Sequence, residues 1–486
     1  MRRDLLIGDI FRTATRAAPG RIAAWRGDDS ITFDELERRG NQVAHALAAL
    51  GIGHRDTVVA WNDTTLDVLP LFVALAKLGA VFAPISPLLS PDEAEVMIAA
   101  ARPKAIAADA GRAADGAALA ARVSAPFVEL AGFAADEDDA DVDEPLLRET
   151  DPHVVFFTSG STGRPKGAVI SNRVNVLRTH PGALLEPRGA KVAPFPLFHM
   201  GAWTMALQQW QAREAMVFTT TDPAAICEAI ERHYATRVHC LPGIWRRVLQ
   251  YLDTPDGRAR DLSSVLLADA ATSATPLELL TAIDQALPNA RVRVFYGSTE
   301  AGLVAWLPPA DMYRKPGSVG VPGVLTAVRV DPGGELCVSG PLLFDGYLDD
   351  PEATAGALVD GWYHTGDVVD VDDDGYISIV GRARDVIRTG GETVAPPEVE
   401  AVLTQCPGVA DVAVIGLPDP QWGEVVCAVI VPVAGRDAPT LDEVRAYSDG
   451  LLARFKQPRR VEVVDAIPRT PATQQVQRRL LVDRLT

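Results

Sequence analysis

The stretch Thr158–Gly167 reads TSGSTGRPKG and directly follows the apolar run VVFF at 154–157. Its residue types suit an anion. Gly160 and Gly163 permit backbone angles closed to other residues, so successive N–H groups can face one charged group. Ser159, Ser161 and Thr162 add hydroxyl donors, and Lys166 adds a point charge. The spacing departs from GxxxxGK(S/T), because Gly167 follows the lysine. Taken alone, the loop fits a phosphate cradle and an ordinary Ser/Gly turn equally well. RVRVFYGSTE at 291–300 repeats the logic, a strand running into a Gly/Ser/Thr turn at 297–299.

The chain around these stretches has 486 residues, 48% of them hydrophobic, enough for a large core and more than one ordinary domain. Its net charge of −18 argues against a nucleic-acid partner, so any phosphate site must be built locally. The cysteines, at 227, 240, 337, 406 and 427, are scattered and never spaced as CxxC. That fits buried free thiols in a reducing cytoplasm rather than a disulfide frame or a structural zinc. The opening MRRDLLIGDIF holds Asp4 and Asp9 and no apolar run of secretory length, so a cytoplasmic chain is expected. Val68–Leu89 is the most apolar region, but Lys77 and the prolines at 70, 84 and 87 break it. It reads as core helix plus strand and not as a membrane span.

Helical and strand-like stretches alternate along most of the chain, which predicts layered α/β structure. ITFDELERRGNQVAHALAALGIG is an early helix, with Thr32 and Glu35 as a capping box and Gly51 as its stop. The acidic stretch at 134–145 reads as a solvated linker. Past residue 380 the order helix, turn, strand, strand, helix, strand predicts a small α+β unit. The expectation is an α/β protein with a large N-terminal part of several subdomains, 1–383, whose sheets are flanked by helices, and a small mobile α+β C-terminal domain, 384–486.

With TSGSTGRPKG and YGSTE, four further stretches occur in order: FPLFHMG (195–201), GELCVSGPLLFDGY (334–347), WYHTGD (362–367) and GRARDVIRTGGETVAPPEVE (381–400). Together they resemble the adenylate-forming, AMP-binding superfamily of acyl-CoA synthetases, peptide-synthetase adenylation domains and luciferases. The resemblance spans nearly the whole chain. It implies a reaction that joins a carboxylate to AMP, expels pyrophosphate, and passes the acyl group to a thiol. It implies that Thr158–Gly167 cradles the β- and γ-phosphates and that Tyr296 and Gly297 belong to the adenine site. Thr299 would donate to the α-phosphate and Glu300 would hold Mg²⁺, a hard cation suited to oxygen ligands. Asp367 would accept from the ribose hydroxyls, and Arg382 would reach the nucleotide. His199 is either a satisfied core histidine or a gate between the acyl pocket and the thiol channel. Arg384 falls at the family's hinge, about which the small domain rotates between half-reactions. In the second pose Gly390, Gly391 and Glu392 would line the tunnel for the pantetheine arm.

The resemblance breaks near the C-terminus. There the family reads like PRTPTGKVQR, with a lysine that serves adenylation, whereas this chain has PRTPATQQVQRR. Aligned on Pro468 the lysine position is Gln474, and aligned on Val476–Arg478 it is Gln475. A glutamine amide donates hydrogen bonds but carries no charge to offset the repulsion between a carboxylate and the α-phosphate. The expectation is an acyl-CoA ligase that forms the thioester from acyl-AMP and coenzyme A, with adenylation impaired or absent. Its partners would be a small carboxylic acid or its adenylate, with a separate adenylating enzyme as supplier. Other readings stay open: a complete two-step synthetase using ATP and Mg²⁺, with the glutamine introduced or compensated by Lys456, and a non-catalytic acyl-adenylate-binding protein. A carrier-protein thiol is the alternative acceptor. The acyl pocket would draw on His199, Met200, Trp203 and Leu266–Pro276, where small residues and no clear acidic partner for an amine point to a hydrophobic acid. Arginine-rich, alanine-rich usage suggests a high-GC bacterium with specialised metabolism.

Overall fold

A computed structural model describes residues 4–159, 165–185, 187–271, 275–390, 392–469 and 476–486. The chain divides into two compact units, Met1–Ala327 with Val338–Tyr363, and Val328–Cys337 with His364–Thr486. The class is mixed α/β with one large and one small part, as expected. The boundary expected between residues 383 and 384 falls inside the second unit.

In the large unit one sheet orders its seven strands Gly346–Tyr347, Pro165–Ser171, Pro152–Ser159, Val81–Ile85, Thr57–Trp61, Ala105–Ala108 and Phe127–Glu129. The strands Val81–Ile85, Thr57–Trp61 and Ala105–Ala108 are parallel neighbours, whereas Pro152–Ser159 and Pro165–Ser171 form an antiparallel hairpin. A second sheet runs from Ser318–Pro322 through Gly302–Leu307, Arg291–Ser298, Leu267–Ala271, Arg237–Cys240, Lys191–Ala193, Met216–Phe218 and Ile22–Arg26 to Asp29–Thr32.

The local expectations hold where the signal is local. Helix Phe33–Ala49 starts on a full Thr32/Glu35 capping box, and Gly51 follows with φ +76°. All eleven residues of helix Val68–Leu78 are buried, and it ends on Gly79 in the left-handed region before the buried strand Val81–Ile85. This apolar region is therefore core, and among the described residues no helix is long and apolar enough to cross a membrane. At its centre Phe72 stacks on Trp203 with ring centroids 4.0 Å apart.

The acidic stretch is solvated, as expected, with residues 135–141 exposed, and it is also strapped to the first helices. Asn41 donates to the Asp139 carbonyl at 2.9 Å, and Gln42 donates to those of Ala135 and Glu137. Arg12 binds the Asp141 carboxylate and the Val142 carbonyl. Lys77, fully buried at its side chain, holds Asp141 at 2.8 Å and Glu37 at 2.5 Å, with Asn41 as a third partner. A buried ammonium is tolerable only with such a complete set of acceptors.

The small unit contains a sheet in which Gly423–Pro432 lies between Val409–Asp419 and the hairpin Ile387–Thr389/Glu392–Val394, with Arg460–Val463 also paired to it. Strand alternation gives this sheet two apolar faces. Val412, Val414, Val426 and Ile430 pack on Val399, Leu403 and Val444 of two helices. Ala413, Ile415, Cys427 and Val429 pack on Ile467 and Leu481, the latter from helix Arg478–Leu485. The predicted α+β texture is thus present.

Replacing Lys77 with methionine leaves Glu37 and Asp141 facing an uncharged side chain. It should cost about 3–5 kcal/mol of stability, read from urea unfolding followed by circular dichroism.

Candidate active site

Two hairpins of the large unit carry the loop residues singled out by sequence. In the first, Thr158 lies across from Lys166, so Lys166 belongs to the returning strand and not to the loop tip. The glycine-rich stretch therefore joins two antiparallel strands, unlike the strand–loop–helix of a P-loop. The tip residues Gly160, Ser161, Thr162 and Gly163 lie outside the described residues, as does the Ser159 side chain. In the second hairpin, strand Arg291–Ser298 includes Tyr296 and Gly297 and extends further than expected, so the turn begins at Thr299. A bulge separates Tyr296 from Gly297. A Cβ on Gly297 would sit 2.1 Å from the Gly302 carbonyl oxygen, which explains the glycine by close backbone approach.

The two hairpins meet at Glu300. Its side-chain Oε1 accepts from the Tyr347 hydroxyl at 3.1 Å and from the Thr158 hydroxyl at 3.4 Å, and the residue is nearly buried. Tyr347 sits on the short strand beside Pro165–Ser171, and the Lys166 ammonium lies 5.1 Å from its ring centroid. Burial, with the adjacent Glu300 charge, pushes the Tyr347 phenol above its ordinary range. Behind the turn, Arg178 from helix Asn172–Leu185 donates to the carbonyls of Thr299, Glu300 and Leu342. Sequence reading assigned neither Tyr347 nor Arg178 a role. Tyr347 closes the quoted stretch GELCVSGPLLFDGY, so a signal was present; Arg178 meets partners 121 to 164 residues away and leaves no local trace.

His199 precedes helix Met200–Gln211 and is half-buried. Its Nε2 has no hydrogen-bond partner among the described residues, and burial pushes its pKa down to about 4. It is a neutral imidazole near pH 7 with one ring nitrogen unengaged, which is not the satisfied core histidine of the first alternative. Trp203, expected in the acyl pocket, is instead core: it is stacked on Phe72 and its indole N–H donates to the Leu197 carbonyl at 2.6 Å. In the stretch Leu266–Pro276, residues 272–274 lie outside the described residues and Leu267–Ala271 forms a buried strand. That strand carries a buried acid that sequence reading passed over. Asp269 binds Arg293 at 2.8 and 3.1 Å and faces Lys191 at 3.5 Å. Burial alone would raise its pKa, but the charges of Arg293 and Lys191 hold it below the usual carboxylate range. Its oxygens are thus engaged by cations and are not offered to a substrate amine.

The remaining site residues belong to the small unit. Asp367 and Arg382 are paired across adjacent strands, with the guanidinium 3.0 Å from the carboxylate. Arg382 also donates to the Thr365 carbonyl. Arg384 is exposed beside Asp385, 3.6 Å away, in the link between strands Ile377–Arg382 and Ile387–Thr389. Gly390, with φ +60°, begins the turn of the hairpin in which Thr389 faces Glu392. A Cβ there would lie 2.7 Å from the Trp422 ring, so the tight approach at this glycine is to an indole of the same unit. Glu392 is exposed, and Gly391, Gln474 and Gln475 lie outside the described residues. Lys456 is held by Glu398 at 2.6 and 2.8 Å.

Comparison with known proteins agrees with this layout. Residues 11–348 match the AMP-binding enzyme family and residues 398–473 its C-terminal domain. The chain is 36% identical to a feruloyl-CoA synthase from an Amycolatopsis species over 94% of both chains. It is 31% identical to an indoleacetate–CoA ligase from Aromatoleum aromaticum over 93% of both. Among solved structures, ATP-bound MatB from Rhodopseudomonas palustris superposes with a TM-score of 0.87 at 28% identity, covering 98% of each chain.

Three histidines, His153 buried and His199 and His239 half-buried, give this unit an acid-sensitive term. Burial pushes His153 and His239 down to about 3 and His199 to about 4, from an ordinary value of 6.5. Unfolding lets each take up a proton. Their contribution is complete above pH ~6.5 and fades as the pH falls toward the folded values. The free energy of unfolding should therefore drop between about pH 6.5 and 4, and His199→Gln should flatten that drop by about 3 kcal/mol in urea titrations at stepped pH.

Proposed function

Because this chain belongs to the AMP-binding enzyme family, we propose that it is an acyl-CoA ligase that works mainly in the thioester-forming half-reaction, acyl-AMP plus coenzyme A giving acyl-CoA plus AMP. The observation that carries this reading is PRTPATQQVQRR, where Gln474 or Gln475 stands in place of the family lysine. Adenylation must bring a carboxylate onto the α-phosphate. Without a cation to offset two anions, that step loses about 10²–10³-fold in rate, or roughly 3–4 kcal/mol. Thiol attack on an adenylate already formed has no such need. Lys456 is a poor substitute, since its ammonium is already bound to Glu398. A separate adenylating enzyme would then supply the acyl-AMP, and the five buried free thiols suit a reducing cytoplasm.

The proposed roles follow from the residue chemistry. Thr158–Gly167, with Lys166, holds phosphate oxygens, and Thr299 donates to the α-phosphate. Asp367, with Arg382, receives the ribose hydroxyls, and Tyr296 and Gly297 belong to the adenine site. Glu300 fits Mg²⁺: it is a nearly buried carboxylate whose described partners, Thr158 and Tyr347, are neutral hydroxyls, so an all-oxygen set is at hand. When bound, the ion would supply charge compensation for phosphate oxygens. The unengaged Nε2 of His199 suits a gate beside the acyl group. A small domain beginning near residue 384 would turn about Arg384 and bring Gly390, Gly391 and Glu392 to the pantetheine arm. The carboxylic acid is one without a free amine, in keeping with the engagement of Asp269 by Arg293 and Lys191.

A second reading is favoured by one observation. Thr158, Glu300, Lys166 and Tyr347 lie together as a set suited to a metal-bound nucleotide, which a protein that never used ATP would not require. On that reading the chain is a full two-step synthetase. Two assays on one preparation separate them. Synthetic acyl-AMP with coenzyme A should give acyl-CoA, while acid, MgATP and coenzyme A should give it at least about 10²-fold more slowly. Gln474→Lys or Gln475→Lys should recover part of the slow reaction. Equal rates in wild type would establish the two-step synthetase.

A further inference from the structure

Arg178 is a buried guanidinium whose described hydrogen bonds run to backbone carbonyls and a thioether. From the middle of helix Asn172–Leu185 it donates Nε to the Leu342 carbonyl at 2.8 Å, Nη1 to Thr299 at 3.0 Å and Nη2 to Glu300 at 2.9 Å. Nη1 also lies 3.2 Å from the Met200 sulfur, at the start of the helix that follows His199. One planar fork therefore ties together the Thr299–Glu300 turn, the loop before Tyr347 and the residue after His199. Arginine suits this because its donors are fixed in one plane and aim at several acceptors at once.

The chain makes room for that fork. Gly302, two residues past Glu300, has φ +69°, and a Cβ there would sit 2.8 Å from Arg178 Nε and 3.3 Å from its Cζ. The Glu300 carbonyl also accepts from the Phe344 amide at 2.7 Å, so this peptide is held from two sides while its carboxylate reaches Thr158 and Tyr347. Burial lowers the guanidinium to about 10, opposed by Asp345 and Glu300, so it stays charged near neutral pH.

We propose that Arg178 is a positioning residue for the metal-nucleotide site, fixing the Thr299–Glu300 backbone so that the Glu300 carboxylate meets Thr158 and Tyr347. The inference rests on the reading of Glu300 as the Mg²⁺ ligand. Residues that orient a metal ligand without touching the metal typically change affinity by about 10–100-fold. Arg178→Gln loses the three-way fork, and Arg178→Lys keeps the charge but can replace only part of the geometry. Gly302→Ala keeps the arginine and pushes on it.

The test is binding of Mn²⁺·ATP by electron paramagnetic resonance, beside thioester formation from acyl-AMP and coenzyme A and thermal melting. Arg178→Gln and Gly302→Ala should each weaken Mn²⁺·ATP at least about tenfold at temperatures where both are fully folded. Added guanidinium should restore part of the affinity of Arg178→Gln but not that of Gly302→Ala. Folded variants that bind Mn²⁺·ATP as wild type does, with only a lower melting temperature, would overturn the proposal and leave Arg178 as a packing residue. Wild type that neither binds Mn²⁺·ATP nor forms thioester would overturn the functional reading and this inference with it.

Discussion

A nearly buried carboxylate with neutral hydroxyls for neighbours is an unfinished arrangement. Glu300 accepts from Thr158 and Tyr347, but neither removes its charge, and a carboxylate taken out of water without a counter-charge is costly. The large unit is organised around keeping that carboxylate in place. One sheet contains the hairpin carrying Thr158 and Lys166, the other the hairpin carrying Glu300. The short strand with Tyr347 is stitched to the first. Arg178 adds positive potential behind the turn while spending its hydrogen bonds on carbonyls. The turn is thus preorganised by backbone geometry and leaves the charge of Glu300 open to a cation.

The parts of this arrangement that sequence revealed are those encoded over a few residues. The capping box at Thr32 and Glu35 and the core helix plus strand of the apolar region Val68–Leu89 are short-range patterns, and each lies where it was read. The parts that escaped are long-range. No pattern near Lys77 announces Glu37 and Asp141 as partners, and none near Asn41 announces a carbonyl 98 residues on. The acidic stretch is the solvated loop its composition suggests, but the strapping of its carbonyls by amides on a distant helix left no local trace. Trp203 was misread. Its neighbour His199 lies in a functional motif, while the indole itself faces Phe72. Asp269 went unnoticed because its neutralising cations sit on other strands.

In the small unit the same contrast appears. Alternating apolar residues on Val409–Asp419 and Gly423–Pro432 gave away a sheet with cores on both faces. The Asp367–Arg382 pair depends on cross-strand register and could only be supplied by the family resemblance. Gly390 shows how two explanations can share one residue: a positive φ and the Trp422 ring already require glycine there.

The burial of every cysteine acquires a meaning beyond packing. A mixed anhydride acylates any accessible thiolate or amine, including those of the protein that holds it. Here all five thiols are buried, and burial raises Cys227 to about 11 and Cys427 to about 12, which starves them of the reactive thiolate. Among the six lysines, Lys77, Lys191 and Lys456 are tied to carboxylates. Most of the positive charge sits on arginine, a far weaker nucleophile. The chain in this sense offers a reactive acyl donor few side chains to modify.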